Sequence, residues 1–287
     1  MSAKTISSTE NFCQANYMQL LTNYQNKSMK KNTLYFFAAV MFLALSCKQA
    51  NQQILQAGAY QIKSMVVNDG TKDSTYQSNQ LKIYTGTHYI YVHMNTDSSV
   101  GFGLGTYHSE GNKVEEINWY NSSGSDTANS FILNITPTDN GYTQHIPAIV
   151  SNGIKYTMTE TYTKQGNDST SELDGLWKQT VGLKIIGTDT TKTNNFTQYK
   201  AFQNGHFIFV HRYASDSTGT MFKKGFGSGT FTYANGQLEE INTLTNYPSI
   251  AGKKITISIT FTGKNEYTQI IKDVATQTTS IETYTRL

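Results

Sequence analysis

Cysteine and proline are scarce in this sequence, which has two cysteines and three prolines among its 287 residues. Both cysteines, Cys13 and Cys47, lie near the N-terminus, so the chain after Cys47 lacks the thiols that disulfides and cysteine-ligated metals require. We therefore expect that part of the chain to be held together by its hydrophobic core alone.

An excess of charge of one sign is also missing from most of the chain. The formal net charge of +3 arises near the N-terminus. Once Lys4, Lys27, Lys30, Lys31 and Glu10 are left out, basic and acidic residues are equal in number. Nucleic-acid binding needs a clustered positive surface, so we expect no nucleic-acid partner.

The long apolar run of this chain lies near the N-terminus and is too short to cross a membrane. Met29-Lys30-Lys31 precedes an uncharged run from Leu34 to Leu45, and twelve residues do not span a hydrocarbon core of ~30 Å as a helix. The basic start, the apolar centre and the small residue before Cys47 predict a signal peptide over residues 29–47.

The predicted signal peptide also determines how the segments before and after it are interpreted. Residues 1–28 precede its basic start and are read as a leader that is not in the native product. Residues 48–56 are read as a tether between the signal peptide and the first folded domain. An ordinary signal peptide that happens to contain a cysteine is the alternative to one that is processed at Cys47.

Residues that favour strands are abundant, with 19 tyrosines, 14 phenylalanines and many threonines. Aromatic and β-branched side chains suit a pleated, half-buried surface. No stretch after Cys47 that is longer than two turns shows a helical apolar period. The composition therefore predicts an all-β protein.

The sequence also repeats itself. Residues 101–118 read GFGLGTYHSEGNKVEEIN and residues 225–242 read GFGSGTFTYANGQLEEIN, with nine identities in eighteen positions. Upstream, LKIYTGTHYIYVH at 81–93 aligns without gaps to YKAFQNGHFIFVH at 199–211. The chain thus contains two copies of one folding unit.

Shorter matches extend the two copies to their ends. GYTQHI corresponds to EYTQII, and TETYTK corresponds to IETYTR. We predict one domain over residues 57–165, a second over residues 173–287, and a polar linker over residues 166–172.

Each copy contains about eight short strands that are separated by turn dipeptides such as Asn-Gly and Asp-Gly. Consecutive hairpins favour an up-and-down meander, and closing it removes the exposed strand edges. About eight strands close into a small antiparallel barrel with room for one ligand. In the first copy we predict strands at 58–67, 80–85, 88–94, 101–108, 113–119, 130–136, 141–147 and 154–163.

The repeated glycines take a specific place in this barrel. On a strand, Gly101, Gly103 and Gly105 share one face, and the preceding strand offers Tyr89 and Tyr91 to cover the space that they leave. A phosphate-binding loop is the alternative, but such loops join a strand to a helix, whereas this stretch continues as a strand.

The ends of the second copy resemble the lipocalin (calycin) pattern. Gly175 and Trp177 form a G-x-W motif in the first strand, and Arg286 closes the last strand. In lipocalins the arginine packs across the tryptophan at the closed end of the barrel. The first copy has Tyr60 and Lys164 at these positions, so the resemblance implies a ring and a cation there as well.

More closely, the repeated motifs look like those of lipocalin-like bacterial lipoproteins of unknown function. LALSC, ending at Cys47, resembles a lipobox, which implies acylation of that cysteine and a lipid-anchored protein in the bacterial cell envelope, at the outer membrane. Ala44 stands where leucine is usual. The other matching residues are Lys82, His88, Tyr89, Gly103, Gly105, Thr106 and Glu115, with Lys200, His206, Phe207, Gly227, Gly229, Thr230 and Glu239 in the second copy.

Polar residues inside such a barrel would set its chemistry. Glu115 and Glu116 are adjacent, so one of them faces inward, and Glu115 is predicted to do so because it shares a face with Ile117. An inward carboxylate needs a partner, and Lys82 is the candidate. The pair is either an anchor for a ligand head group or a structural ion pair.

The predicted ligand-binding residues point into the two barrels. They are Tyr89, Tyr91, His93 and Glu115 in the first copy, and Phe207, Phe209, His211 and Glu239 in the second. A metal held by His93 with Glu115 or Glu116 is geometrically allowed, but no ligand spacing supports it, so we expect neither a metal nor another cofactor.

The sequence leaves two functions open. The first is an envelope module that binds a small hydrophobic or amphipathic ligand in aromatic-lined barrels. The second is a non-enzymatic module that binds protein or glycan on its surface, with side chains filling the barrels. An enzyme comes third because no nucleophile–base pair is visible at a useful spacing. A continuous cavity of about 300 Å³ or more would favour the first function.

Overall fold

The computed structural model describes residues 55–124, 128–151, 153–193, 196–214, 216 and 222–287. The signal peptide and the acylation predicted at Cys47 lie outside these residues. Within them, no helix has both the length and the apolar character that a membrane span requires.

The described residues form eighteen strands. In the first copy these are β1 Gly58–Asn68, β2 Asp73–Tyr76, β3 Ser78–Tyr84, β4 His88–Asn95, β5 Val100–Glu110, β6 Lys113–Asn121, β7 Asn129–Thr138, β8 Gly141–Ser151 and β9 Ile154–Gln165. In the second copy they are β10 Gly175–Ile186, β11 Asp189–Lys192, β12 Phe196–Gln203, β13 His206–Ala214, β14 Phe222–Ala234, β15 Gln237–Thr245, β16 Lys254–Gly263, β17 Glu266–Asp273 and β18 Thr278–Arg286.

Each copy closes into an antiparallel barrel, as the sequence predicts. In barrel 1 (β1–β9), each strand from β3 to β9 pairs with the next, β3 pairs with β1, and β9 pairs back onto β1. Barrel 2 (β10–β18) has the same order and closes through β10 and β18. Eight strands close each barrel. The short strands β2 and β11, which the sequence analysis missed, pair with the C-terminal ends of β1 and β10.

Two tight turns of barrel 2 show how turn chemistry sets the strand boundaries. Asn204 and Gly205 have φ values of 53° and 74°, and Asn235 and Gly236 have φ values of 51° and 75°. Two consecutive residues in the left-handed region are what a two-residue hairpin turn with the right twist requires, and Asn-Gly is the preferred pair. The turn dipeptides therefore place β12–β13 and β14–β15 as predicted.

The closed end of each barrel is filled by aromatic and aliphatic side chains. Tyr60, Tyr84 and Tyr142 pack edge to face in barrel 1, with ring centroids 5.0–6.3 Å apart. Trp177 and Tyr267 do the same in barrel 2, at 4.7 Å. Each buried ring of this kind removes a large apolar area from water, roughly 150–250 Å².

A third apolar cluster joins the outer faces of the two barrels. We call it the seam. It contains Ala59, Leu81, Ile83, Ile90, Val92, Phe102, Leu104 and Tyr120 of barrel 1, with Leu176, Tyr199, Ala201, Ile208, Val210 and Phe226 of barrel 2. The Tyr120 hydroxyl also donates to the Thr197 carbonyl oxygen at 2.7 Å. The barrels therefore pack directly on each other.

Candidate functional site

An aromatic ladder lines the inner face of β4 in barrel 1. The rings of Tyr89 and Tyr91 stack with centroids 6.5 Å apart, and the rings of Tyr91 and His93 stack at 6.1 Å. Barrel 2 repeats the ladder on β13 with Phe207, Phe209 and His211. All of the aromatic and histidine residues predicted for the interior lie on these ladders.

The glycines of β5 make room for the ladder. Gly101 pairs with His93 and Gly103 pairs with Tyr91, and a Cβ at either glycine would overlap the ring of its partner. Gly105 has a different role, because a Cβ there would overlap the Ile117 carbonyl at the bulge between β5 and β6. The repeated glycine motif thus serves ring packing and a bulge.

A buried ion pair lies below the ladder, but its carboxylate is not the predicted one. Lys82 Nζ lies 2.6 Å from Glu116 Oε1, and both side chains are almost fully buried. The prediction of Glu115 as the inward carboxylate is wrong: Glu115 accepts from Ser130 Oγ at 2.5 Å on the outside. The error arises because Ile117 is itself on the outer face, with 37% of its surface exposed.

Barrel 2 shows the same correction. Lys200 Nζ lies 2.5 Å from Glu240 Oε1, with 3% and 4% of the side chains exposed. Glu239, which was predicted to face inward, pairs on the outside with Lys254 at 2.7 Å. In both copies, therefore, the second glutamate of the Glu-Glu pair is the interior one.

A second buried carboxylate was not predicted. In barrel 1, Glu160 Oε2 accepts hydrogen bonds from Gln144 Nε2 and from the Tyr162 hydroxyl, the latter at 3.0 Å. Burial raises the pKa of Glu160 above its ordinary value, and the Lys82 ammonium offsets this only in part. The signal was present in the sequence, because the ETYT motif occurs at the end of both copies.

Barrel 1 encloses a cavity of about 760 Å³ above these polar groups. Its walls near the mouth include Met65, Ile149 and Met158, whereas its floor is formed by Lys82 and the two buried glutamates. The cavity thus has apolar side chains in its walls, polar residues such as Gln77 and Asp97 at its rim, and charged groups at its floor. Its volume falls within the ~300–1,000 Å³ that small-molecule sites usually have.

The mouth of barrel 2 carries aromatic side chains instead. His211 Nε2 lies 2.5 Å from the Tyr247 hydroxyl, and the Phe196 ring lies 4.7 Å from the His211 ring. Burial lowers the pKa of His211 to about 4, because it disfavours the imidazolium form. The strand register places Ser123 of barrel 1 at the position of Tyr247.

The closed end of barrel 2 has the contact that the lipocalin resemblance implies. The Arg286 guanidinium lies 4.0 Å from the centroid of the fully buried Trp177 ring. The same arginine donates to the Glu172 carbonyl at 2.7 Å, and Trp177 Nε1 donates to the Leu173 carbonyl at 2.7 Å. The guanidinium therefore ties the segment before β10 to the last strand.

The closed end of barrel 1 keeps the ring and the cation on paired strand positions, but the cation does not stack on the ring. Tyr60 and Lys164 are opposite each other in the β1–β9 ladder. Lys164 Nζ, however, pairs with Asp168 in the linker at 2.6 Å, and the Tyr60 hydroxyl donates to the Gln56 carbonyl at 2.9 Å. The cation that was expected over the Tyr60 ring points to the linker instead.

Of the two carboxylates considered with His93 for a metal, only Glu116 faces the interior, and it is paired with Lys82. His93 faces the interior of barrel 1 and Glu115 the exterior, so these two cannot share an ion. Among the residues that the structure describes, no group of three or more histidine, cysteine, aspartate or glutamate side chains is placed to hold a metal.

No protein-family model matches the sequence, and no curated protein sequence matches it. Among solved structures, the chain resembles a protein of unknown function from the DUF3598 family of Nostoc punctiforme. The two share 9% sequence identity at a TM-score of 0.25, with 81% of this chain and 96% of that chain covered. This likeness assigns neither a ligand nor an activity.

Proposed function

We propose that this protein is a lipid-anchored lipoprotein of the bacterial cell envelope, at the outer membrane, that binds a small amphipathic ligand in barrel 1. The observation that carries the proposal is the cavity of about 760 Å³ inside that barrel. A cavity with apolar side chains in its walls and charged groups at its floor fits a ligand with an apolar body and one polar end.

We also propose that the protein is not an enzyme. The buried acid and base groups of barrel 1 are committed to one another: Lys82 pairs with Glu116, and Glu160 accepts from two neutral donors. A catalytic base needs a free pair of electrons directed at a substrate atom, so this arrangement suits holding a ligand better than transforming it.

The binding proposal is tested with N-phenyl-1-naphthylamine, a neutral probe that fluoresces in apolar surroundings. The full chain carries Cys47→Ser, which removes the expected acylation point. We expect saturable fluorescence with one site per chain. Ile146 lines the cavity, so Ile146→Trp should narrow it and weaken binding, whereas Ile271→Trp, the equivalent change in barrel 2, should leave binding intact.

Two results would contradict binding in barrel 1. One is the absence of saturable fluorescence. The other is binding that Ile146→Trp leaves unchanged in a variant that still melts cooperatively. Either result would favour the second candidate, a non-enzymatic module for protein or glycan, which the aromatic mouth of barrel 2 supports.

The anchoring proposal is tested separately in cells. Wild-type protein should incorporate radioactive palmitate and sediment with membranes, whereas Cys47→Ser should lose the label and leave the membrane fraction. Labelling that persists in Cys47→Ser would contradict acylation at this residue without affecting the binding proposal.

A further inference from the structure

The floor of the barrel 1 cavity has an excess of hydrogen-bond acceptors. Gln144 donates through Nε2 to Glu160, and the Asn118 side chain bonds to Tyr89. Their amide oxygens, Gln144 Oε1 and Asn118 Oδ1, are buried and have no hydrogen-bond partner. Both residues line the cavity, with 2% and 5% of their surface exposed.

Such acceptors are costly without a donor. A buried polar atom that lacks a partner loses its hydrogen bond to water and gains nothing in return. Both residues line the cavity, although the two oxygens themselves are covered, so a bound molecule with N–H or O–H groups can satisfy them once the amide side chains turn towards it. The floor of the cavity therefore favours a ligand group that donates hydrogen bonds over one that only accepts them.

The charges of the cavity favour the same kind of ligand. The lining contains one lysine, Lys82, and three carboxylates, which are Glu116, Glu160 and the rim residue Asp97. Lys82 is already 2.6 Å from Glu116. At the floor, an anionic head group would therefore meet the carboxyl group of Glu160, which is buried and has no salt-bridge partner of its own among the residues that the structure describes, in a region of low dielectric, where like charges repel strongly.

Resting on the binding function proposed above, we infer that the ligand of barrel 1 enters with its polar end first and that this end is a hydrogen-bond donor of neutral or positive charge. A primary amine or a hydroxyl on an apolar chain has this chemistry. A carboxylate or a phosphate lacks it. The apolar chain would then lie along the aromatic ladder, with its far end at the mouth of the cavity beside Met65 and Met158.

The test compares three probes with the same tail: decylamine, decan-1-ol and decanoate. Each is titrated at pH 7 against the full chain with bound N-phenyl-1-naphthylamine, and displacement is followed by fluorescence. We expect decylamine to displace the probe at a concentration at least tenfold lower than decanoate does, with decan-1-ol between them or equal to the amine.

Glu160→Gln is the variant that isolates the charge, because it keeps the shape of the side chain. It should reduce the ratio of the displacing concentrations of decanoate and decylamine by about tenfold. Glu282→Gln, the equivalent change in barrel 2, should leave this ratio unchanged. The wild-type ratio alone decides the inference if Glu160→Gln fails to fold.

The outcomes separate the two proposals. Decanoate that binds as tightly as decylamine would overturn the inference about the head group and leave ligand binding intact. A protein that binds N-phenyl-1-naphthylamine but releases it to none of the three probes would also overturn the inference. Failure of N-phenyl-1-naphthylamine to bind at all would instead remove the proposed function.

Discussion

The two barrels share an interior and differ at their ends. Each has the buried lysine–glutamate pair, a second glutamate that accepts from a tyrosine hydroxyl (buried Glu160 in barrel 1, half-buried Glu282 in barrel 2) and the ladder that ends in histidine. At the mouth, barrel 1 has Ser78 and Ser123 where barrel 2 has Phe196 and Tyr247. At the closed end, barrel 1 has a tyrosine and a lysine where barrel 2 has Trp177 and Arg286.

The shared interior concerns the stability of each barrel, whereas the differing ends concern how easily a ligand reaches the interior. The buried ion pair is present in both copies, so we expect it to stabilise each barrel whether or not a ligand enters. The ends are free to differ because they set only how firmly the barrel is closed. We therefore take barrel 1 as the open barrel and barrel 2, whose mouth carries Phe196 and Tyr247, as the more firmly packed one.

The largest expected effect concerns the closed ends. Trp177→Ala should lower the free energy of unfolding by about 3–5 kcal/mol, as truncation of a large buried aromatic residue does, whereas Tyr60→Ala should cost less because no cation stacks on its ring. Denaturant unfolding of the two variants measures both. Equal losses would show that the Arg286 contact does not distinguish the barrels.

The buried ion pairs come next. Lys200→Met leaves Glu240 without its partner in a packed interior and should cost about 3 kcal/mol. Lys82→Met should cost less, because water in the barrel 1 cavity can solvate Glu116. Urea unfolding compares them, and a larger loss for Lys82→Met would reverse our assignment of the open and the packed barrel.

The two ladder histidines should differ in their response to pH. The folded-state pKa of His211 is about 4 against an ordinary value of 6.5, so the unfolded chain binds more protons between these values. The stability from neutral His211 is therefore present above pH 6.5 and lost as pH falls towards 4, by about 2–3 kcal/mol.

His211→Gln should flatten that part of the stability profile. Burial and the Lys224 charge also lower the pKa of His93, but His93 is only half-buried, so His93→Gln should flatten the profile less. Thermal melts between pH 4 and pH 7 measure both slopes. A steeper contribution from His93 would contradict the tighter packing of barrel 2.

The smallest effect concerns the mouth. Tyr247→Ser copies the residue of barrel 1 into barrel 2, removes the hydrogen bond to His211 and should cost about 1 kcal/mol. In the wild type, diethyl pyrocarbonate should modify His93 faster than His211, and Tyr247→Ser should raise the rate at His211. Peptide mapping by mass spectrometry measures both rates; an unchanged rate would mean that Tyr247 does not cover the mouth.

The sequence predicted the architecture well because the architecture depends on local signals. Turn dipeptides, strand composition and the repeat together gave eight strands and closed barrels. These signals are read from neighbouring residues or from the comparison of the copies. The contact between Trp177 and Arg286 was instead expected from the resemblance of the two ends of the second copy to the lipocalin pattern.

The interior chemistry depended on information that neighbouring residues do not contain. Which of Glu115 and Glu116 faces inward is set by the strand face, and Ile117 misled the assignment because an isoleucine can lie on an outer face. Glu160 and Gln144 are distant in sequence from Lys82, so only the closed barrel brings the three together.

The seam between the barrels has one more consequence. Most of its members occupy equivalent positions in the two copies: Ile90 and Ile208, for example, or Val92 and Val210. Each copy thus carries an outer face that is complementary to itself, which is the property of an isologous contact. Joining the copies in one chain supplies covalently, at a fixed ratio of one to one, the partner that a single barrel with this face would meet only at sufficient concentration.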